Sequence, residues 1–305
     1  MTQFQNSTSS KYGRRLGILA AFGAYGMWGV FPLYWKMLSG IDPLQTLAHR
    51  VVWASLFCLL VLAFGRRLGE LRTIFANRRQ LLLVLAAAGM VTANWGLYIY
   101  AITAGRVVES ALGYYINPLM SVALGAWIFR EHVDNWTRAA VGVATVGIVA
   151  AGLLYGRVPV LSLLLAITFA LYGASKKALG LDPVLGLALE TLAAAPVALA
   201  YLLAQHIAGQ GAFGTVGMFK TVLLAMGGIV TAIPLFLFSA AATSISLQLM
   251  GFIQYVSPTS QLLLGLLVYH EQPGTAIQIA FAGVLCAVLI YSGSRVMLAR
   301  RARAM

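Results

Sequence analysis

Apolar residues run along this chain in blocks of about twenty, each closed off by Gly, Pro, Asp or basic residues. A helix rises 1.5 Å per residue, so about 20 residues cross the roughly 30 Å of hydrocarbon in a bilayer. The pattern predicts ten such helices, at 16–35, 44–64, 81–104, 109–129, 138–155, 160–179, 184–204, 220–242, 247–269 and 275–294. Connections such as Gly105–Val108 and Gly156–Pro159 are too short for anything but antiparallel neighbours. The fold class expected is an all-α integral membrane protein. The stretch from Leu16 to Tyr34 follows a polar, basic start as a signal peptide would, but it is long enough to span and lacks a small-residue cleavage site. An uncleaved first helix is expected there.

Composition agrees with this pattern. Of 305 residues, 60% are apolar and 10% charged, where a soluble domain is about half apolar and a quarter charged. The net charge of +13 would suit nucleic acid only if it formed a folded basic face, and these charges sit at helix ends and in the tails. With the N-terminus inside, the inner segments hold sixteen Lys and Arg and the outer segments four, Arg50 lying within a span. That bias orients both termini to the cytoplasm. Cys58 and Cys286 stand alone in apolar runs, so neither a disulfide framework nor a metal site is expected.

The chain also repeats itself. Ile41-Asp42-Pro43-Leu44 recurs as Leu181-Asp182-Pro183-Val184, and at the same offset of 140 Tyr115, Pro118, Gly125 and Glu131 match Tyr255, Pro258, Gly265 and Glu271. The division that follows is a tail at 1–15, five helices in 16–155, five in 156–294 and a basic tail at 295–305. Five is odd, so the second half enters the membrane from the other side, and inverted repeats are a recurrent plan of secondary transporters.

Charge inside a span is expensive and marks a candidate site. Arg50, beside His49, and Glu190 occupy equivalent repeat positions with opposite signs. Two alternatives stand for them: contacts to a substrate's carboxylate, amine or proton, or a structural ion pair joining the halves. Polar and aromatic residues form a second group: Asn94, Trp95 and Tyr98, then Tyr114, Tyr115 and Asn117 before Pro118, and Gln254, Tyr255 and Ser257 before Pro258. The two prolines are expected to break their helices and free carbonyls toward a cavity; the competing reading is kinked packing with interhelical hydrogen bonds. Trp28, Tyr25 and Tyr172 suit a cavity lining less well than an interfacial place. Glu109 suits a helix start, and Glu131 and Glu271 look like symmetry-related loop residues. No Walker loop, HExxH or GxSxG is present, so neither ATP nor a catalytic cofactor is expected.

These residues carry a resemblance. His49-Arg50-Val-Val-Trp53, Asn94-Trp95, Glu109-Ser-Ala-Leu-Gly-Tyr-Tyr-Ile-Asn117-Pro118, Tyr172-Gly173 and Gly251-Phe-Ile-Gln-Tyr-Val-Ser-Pro258-Thr resemble the RarD branch, often labelled chloramphenicol-sensitive proteins, of the drug/metabolite transporter superfamily with EamA-type repeats. The resemblance covers about residues 14–295. It implies an inner-membrane permease exporting a small metabolite such as an amino acid, or a drug-like compound, and it leaves the cargo open. The partners expected are a small-molecule substrate, the bilayer, and a coupling proton or counter-substrate. A uniporter or channel-like facilitator is the alternative, and an integral-membrane enzyme a more distant one.

Overall fold

The computed structural model describes residues 2–130, 134–156, 158–245 and 253–304. Among them are ten α-helices: α1 (Thr2–Met37), α2 (Pro43–Phe64), α3 (Arg78–Thr103), α4 (Val107–Phe129), α5 (Asn135–Tyr155), α6 (Val160–Leu179), α7 (Pro183–Ile207), α8 (Met218–Ser244), α9 (Val256–Leu263) and α10 (Thr275–Ala304). A 3₁₀ segment, Leu68–Ala76, joins α2 to α3, and a π-turn, Leu264–Val268, closes α9. No strand occurs among the described residues. The part of the expected ninth span at 247–252 lies outside them, as do Glu131 and Arg157.

Seven of the helices are long and apolar enough to cross a membrane: Arg15–Met37, Pro43–Phe64, Arg78–Thr103, Asn135–Leu154, Val184–Ile207, Met218–Phe238 and Thr275–Leu298. Val160–Lys176 and Val256–Val268 are apolar but shorter. Large apolar side chains lie exposed over their length, among them Phe64, Leu153, Leu154, Val197 and Leu289. That is the surface of a protein whose solvent is lipid.

The repeated Asp-Pro dipeptide has a local cause. Asp42 and Asp182 cap α2 and α7, each side chain accepting from the second and third backbone amides beyond it, with the proline at the first helical position. Proline is tolerated there because its missing N–H would have no intrahelical partner. Each cap is also held by the opposite helix. Tyr201 on α7 donates its hydroxyl to Asp42 at 3.2 Å, and Arg67, just past α2, pairs with Asp182 at 3.2 Å. The start of α2 thus meets the end of α7 and the reverse, so the two helices pack antiparallel.

Around this pair α1 packs against α8 and α9, α6 against α3 and α4, α2 against α8, α7 against α3, and α5 against α10. Glycine permits the closest approaches. Gly228 on α8 lies so near the backbone of α2 that an added Cβ would come within 2.3 Å of the Trp53 carbonyl carbon. α4 runs uninterrupted through Pro118, a difference from the break expected there: one missing N–H bends a long helix without ending it. Before Pro258 there is a turn at Gln254 and Tyr255, and α9 starts at Val256; the stretch at 246–252 that would precede a break lies outside the described residues.

Candidate functional site

The Asp42 cap fixes where α2 begins, and Arg50 follows two turns later, about 10 Å along the helix. It is 4% exposed. Its guanidinium lies between two indole rings, 4.8 Å from the centroid of Trp35 on α1 and 4.1 Å from that of Trp95 on α3. Nε donates to Thr231 Oγ1 on α8 at 2.9 Å, and Thr231 in turn donates to the Gly227 carbonyl at 2.8 Å. Gly227 sits against both the Trp35 ring and the Arg50 backbone, 3.6 Å from the ring where a Cβ would be.

Nη1 of Arg50 is buried without a hydrogen-bond partner. The ion pairs formed among the described residues do not include it. The same holds for two further donors around the box, the Trp35 indole N–H and the Tyr98 hydroxyl, both buried and unpartnered. The hydroxyls of Tyr34, Tyr98 and Tyr114 stand within electrostatic range of the guanidinium. Tyr34 donates to the Leu223 carbonyl, and Tyr114 donates to Asn94 Oδ1 at 3.5 Å. Cation–π contact with two indoles stabilises a desolvated guanidinium by about 2 kcal/mol or more per ring. An ionised side chain this deep still costs several kcal/mol unless its remaining donors meet an acceptor. The arrangement is a set of buried donors from α1, α2 and α3 around one cation.

A loop covers the end of α2 nearest this box. Gln45 accepts from the Ala212 amide at 2.8 Å and donates to the Gln210 carbonyl at 2.9 Å. Held this way, Phe213 stacks on His49 with ring centroids 5.3 Å apart, and tilts over Trp53 at 5.7 Å. Lys220 fastens the far end of the loop to the Ser39 carbonyl at 2.7 Å. His49 therefore packs under the loop.

Glu190 is elsewhere. It is 1% exposed, pairs with Lys176 of α6 at 3.1 Å and accepts from the Tyr172 hydroxyl at 2.9 Å. The ion pair between Arg50 and Glu190 that the repeat suggested is not formed. Equivalent positions of an inverted repeat lie near opposite ends of antiparallel helices, and two turns in from each end leaves Arg50 and Glu190 separated by roughly 12 Å along the α2–α7 axis.

Of the other candidates, Trp95, Tyr98 and Tyr114 join the Arg50 box. Asn94 faces α6, donating to the Leu165 carbonyl at 2.9 Å and to Thr168 at 3.0 Å, so its amide ties α3 to α6. A separate group surrounds α9. Tyr115 and Tyr255 stack at 5.9 Å, Tyr115 shares a 2.6 Å hydrogen bond with Thr259, and Ser257 accepts from Gln261. The Tyr255 hydroxyl is buried and unpartnered. Asn117 accepts from Ser121 at 3.4 Å, and Gln254 lies half-buried in the turn. Sequence reasoning missed Trp35, Thr231 and Lys176. Only Thr231 left a signal, as the repeat mate of Thr92 in the pair Thr-Ala.

A lateral groove of about 490 Å³ between α2, α3 and α7, lined by Leu47, Val51, Ala88 and Ala194, has almost wholly apolar walls. It offers no group to hold a charge. Glu271, following α9, accepts from the Val107 and Val108 amides at 2.8 Å each, capping α4 from outside that helix. Glu109 pairs instead with Arg106, at 2.7 Å from Nε.

The EamA-like transporter family matches residues 15–153. Protein RarD of Streptomyces exfoliatus is 40% identical over 291 residues, covering 95% of this chain and 92% of its own length. The chain belongs to the EamA-like transporter family. Within the drug/metabolite transporter superfamily it falls in the RarD branch. The uncharacterized transporter YojE of Bacillus subtilis is also 40% identical, over 92% of this chain and 94% of its own length. A crystal structure of a protein only 19% identical superposes with a TM-score of 0.58, covering 93% of this chain and 98% of the other; that likeness is one of fold. With its spans and these bacterial relatives, the family member described here is a multi-pass bacterial membrane protein and a membrane transporter.

Proposed function

We propose that this chain is an inner-membrane secondary transporter that exports a small carboxylate-bearing metabolite, such as an amino acid or a drug-like acid, by alternating access. Its two halves, residues 16–155 and 156–294, are inverted repeats with both termini in the cytoplasm, and it runs on a solute or ion gradient without catalytic chemistry. The packing pattern supports the repeat. Pairing of α1 with α8 has its counterpart in α6 with α3, α1 with α9 in α6 with α4, and α2 with α8 in α7 with α3. The self-equivalent pairs α2–α7, α4–α9 and α5–α10 are in contact, as helices lying along an in-plane two-fold can be.

The observation that carries the substrate class is the unpartnered Nη1 of a buried Arg50 with no carboxylate among the described residues paired to it. An intramembrane guanidinium is kept at a cost of about 2.5–3.5 kcal/mol on insertion scales, and a bound carboxylate offsets it through charge-assisted hydrogen bonds. Trp35, Trp95 and Tyr98 then take the apolar part of the solute, while the loop bearing Phe213 closes the outer side. Tyr115, stacked on Tyr255 and bonded to Thr259, marks the contact between α4 and α9 where the halves slide, with Asn117, Gln254 and Ser257 close by in sequence. The test is saturable counterflow of radiolabelled amino and aryl carboxylic acids in proteoliposomes. Arg50→Ala is expected to abolish it while the protein stays monodisperse. Wild-type flux in that variant contradicts the reading, and flux that never saturates would instead describe a channel.

A further inference from the structure

The Arg50 site does not use Glu190, the most deeply buried acidic residue among the described residues. Glu190 is 1% exposed and follows Leu187, Ala188 and Leu189 of α7, which belong to an apolar cluster with Leu62, Val84, Ala87 and Val91. The charged and titratable groups around it are few. From α6 come Lys176 at 3.1 Å and the Tyr172 hydroxyl at 2.9 Å. From α2 comes the Cys58 thiol. To the same apolar cluster α3 contributes Val84, Ala87 and Val91, α8 contributes Ala232, Leu235 and Phe236, and the 3₁₀ segment contributes Leu71. Arg67 and Glu70 pair with each other and with Asp182 at the start of α7.

The two partners of the ion pair differ in their access to water. Glu190 is enclosed, whereas the side chain of Lys176 is 27% exposed, near the end of α6 that the basic-residue bias assigns to the cytoplasm. A flexible ammonium can swing outward to water at little cost. A carboxylate left behind in an apolar cluster cannot stay ionised and takes a proton instead. The Tyr172 hydroxyl suits both states, donating to the carboxylate and accepting from the carboxylic acid.

Resting on the transport reading above, we infer that Glu190 is a proton-binding site of the carrier, with Lys176 as the counter-charge that it exchanges for a proton from the inner side. Protonation adds one proton to a Glu190 oxygen, Lys176 remains an ammonium and moves to water, and the Lys176–Glu190 link between α6 and α7 is broken. α6 otherwise packs against α3 and α4, and α7 against α2 and α3, so this exchange frees the inner end of one helix from the other. It pairs a proton at the inner end with a carboxylate solute at the Arg50 end.

Infrared difference spectroscopy of the full chain in liposomes, titrated from about pH 4 to pH 9 with no solute present, tests this. A protonated-carboxyl C=O band that titrates reversibly in wild type is expected to vanish in Glu190→Gln. Lys176→Met, which removes the counter-charge, is expected to move the midpoint up by about one unit or more. Identical bands in wild type and Glu190→Gln overturn the inference. If the glutamine variant does not fold, an unmoved midpoint in Lys176→Met overturns it alone. Because no solute is used, failure here leaves the counterflow result standing, and failed counterflow leaves the titration standing.

Discussion

The guanidinium of Arg50 lies 4.1 Å from the ring centroid of Trp95 and donates through Nε to Thr231 of α8. A cation so placed is held in position by groups that do not neutralise it. Thr231→Val leaves Nε unpartnered like Nη1 and is expected to cost about 1–3 kcal/mol. Trp95→Ala removes the stacking plane and leaves a cavity, at about 3–5 kcal/mol. Thermal unfolding in detergent measures both, and Trp95→Phe is expected to recover most of the loss.

Gly227 and Gly228 are neighbours with different demands. A Cβ at Gly228 meets Trp53 backbone at 2.3 and 2.4 Å and the Ala54 nitrogen at 2.5 Å, where nothing can yield without parting α2 from α8. At Gly227 the nearest atom is 3.6 Å away on the Trp35 ring, an ordinary contact. Gly228→Ala is expected to give little monodisperse protein by fluorescence-detected size exclusion, and Gly227→Ala to behave as wild type. Equal yields would show that the α2–α8 contact is looser than described.

Just past α2, Arg67 donates twice to Glu70 at 2.8 Å and pairs with Asp182, the cap of α7. Hydrogen bonding to Arg67 holds the Glu70 carboxyl below its ordinary value. A depressed folded-state value means that the clip's contribution is full above the ordinary carboxylate range and is lost as pH falls from there through the depressed value. Wild type is therefore expected to lose more thermal stability than Glu70→Gln between about pH 6 and pH 3.5. Asp182→Ala, which removes both cap and clip, is expected to cost about 1 kcal/mol. Parallel pH profiles for wild type and Glu70→Gln would exclude the clip.

Much of this was readable from the chain because its signals are local. Apolar length and the Asp-Pro caps act over a few residues, and they return as α2 and α7 beginning at Pro43 and Pro183. Arg50 stood out because charge within a span is rare. Its surroundings did not, since Trp35 and Thr231 are ordinary residues until α1 and α8 close on α2. The pairing of Arg50 with Glu190 failed for a geometric reason: a repeat identifies equivalence under rotation, and equivalent residues of an inverted pair need not touch. Lys176, only four residues from Tyr172, satisfies Glu190 across the short turn between α6 and α7.

The central claim is that Arg50 holds the carboxylate of the carried solute. It is tested most directly by the thermal shift of the purified protein with matched pairs of carboxylic acids and their carboxamides. Ligand bound by the folded state alone at a hundred times its dissociation constant stabilises it by about 2.7 kcal/mol. The account predicts that at least one acid raises the unfolding temperature of wild type, that its amide does not, and that Arg50→Ala responds to neither. Equal shifts from acid and amide, or an undiminished acid response in Arg50→Ala, would contradict it.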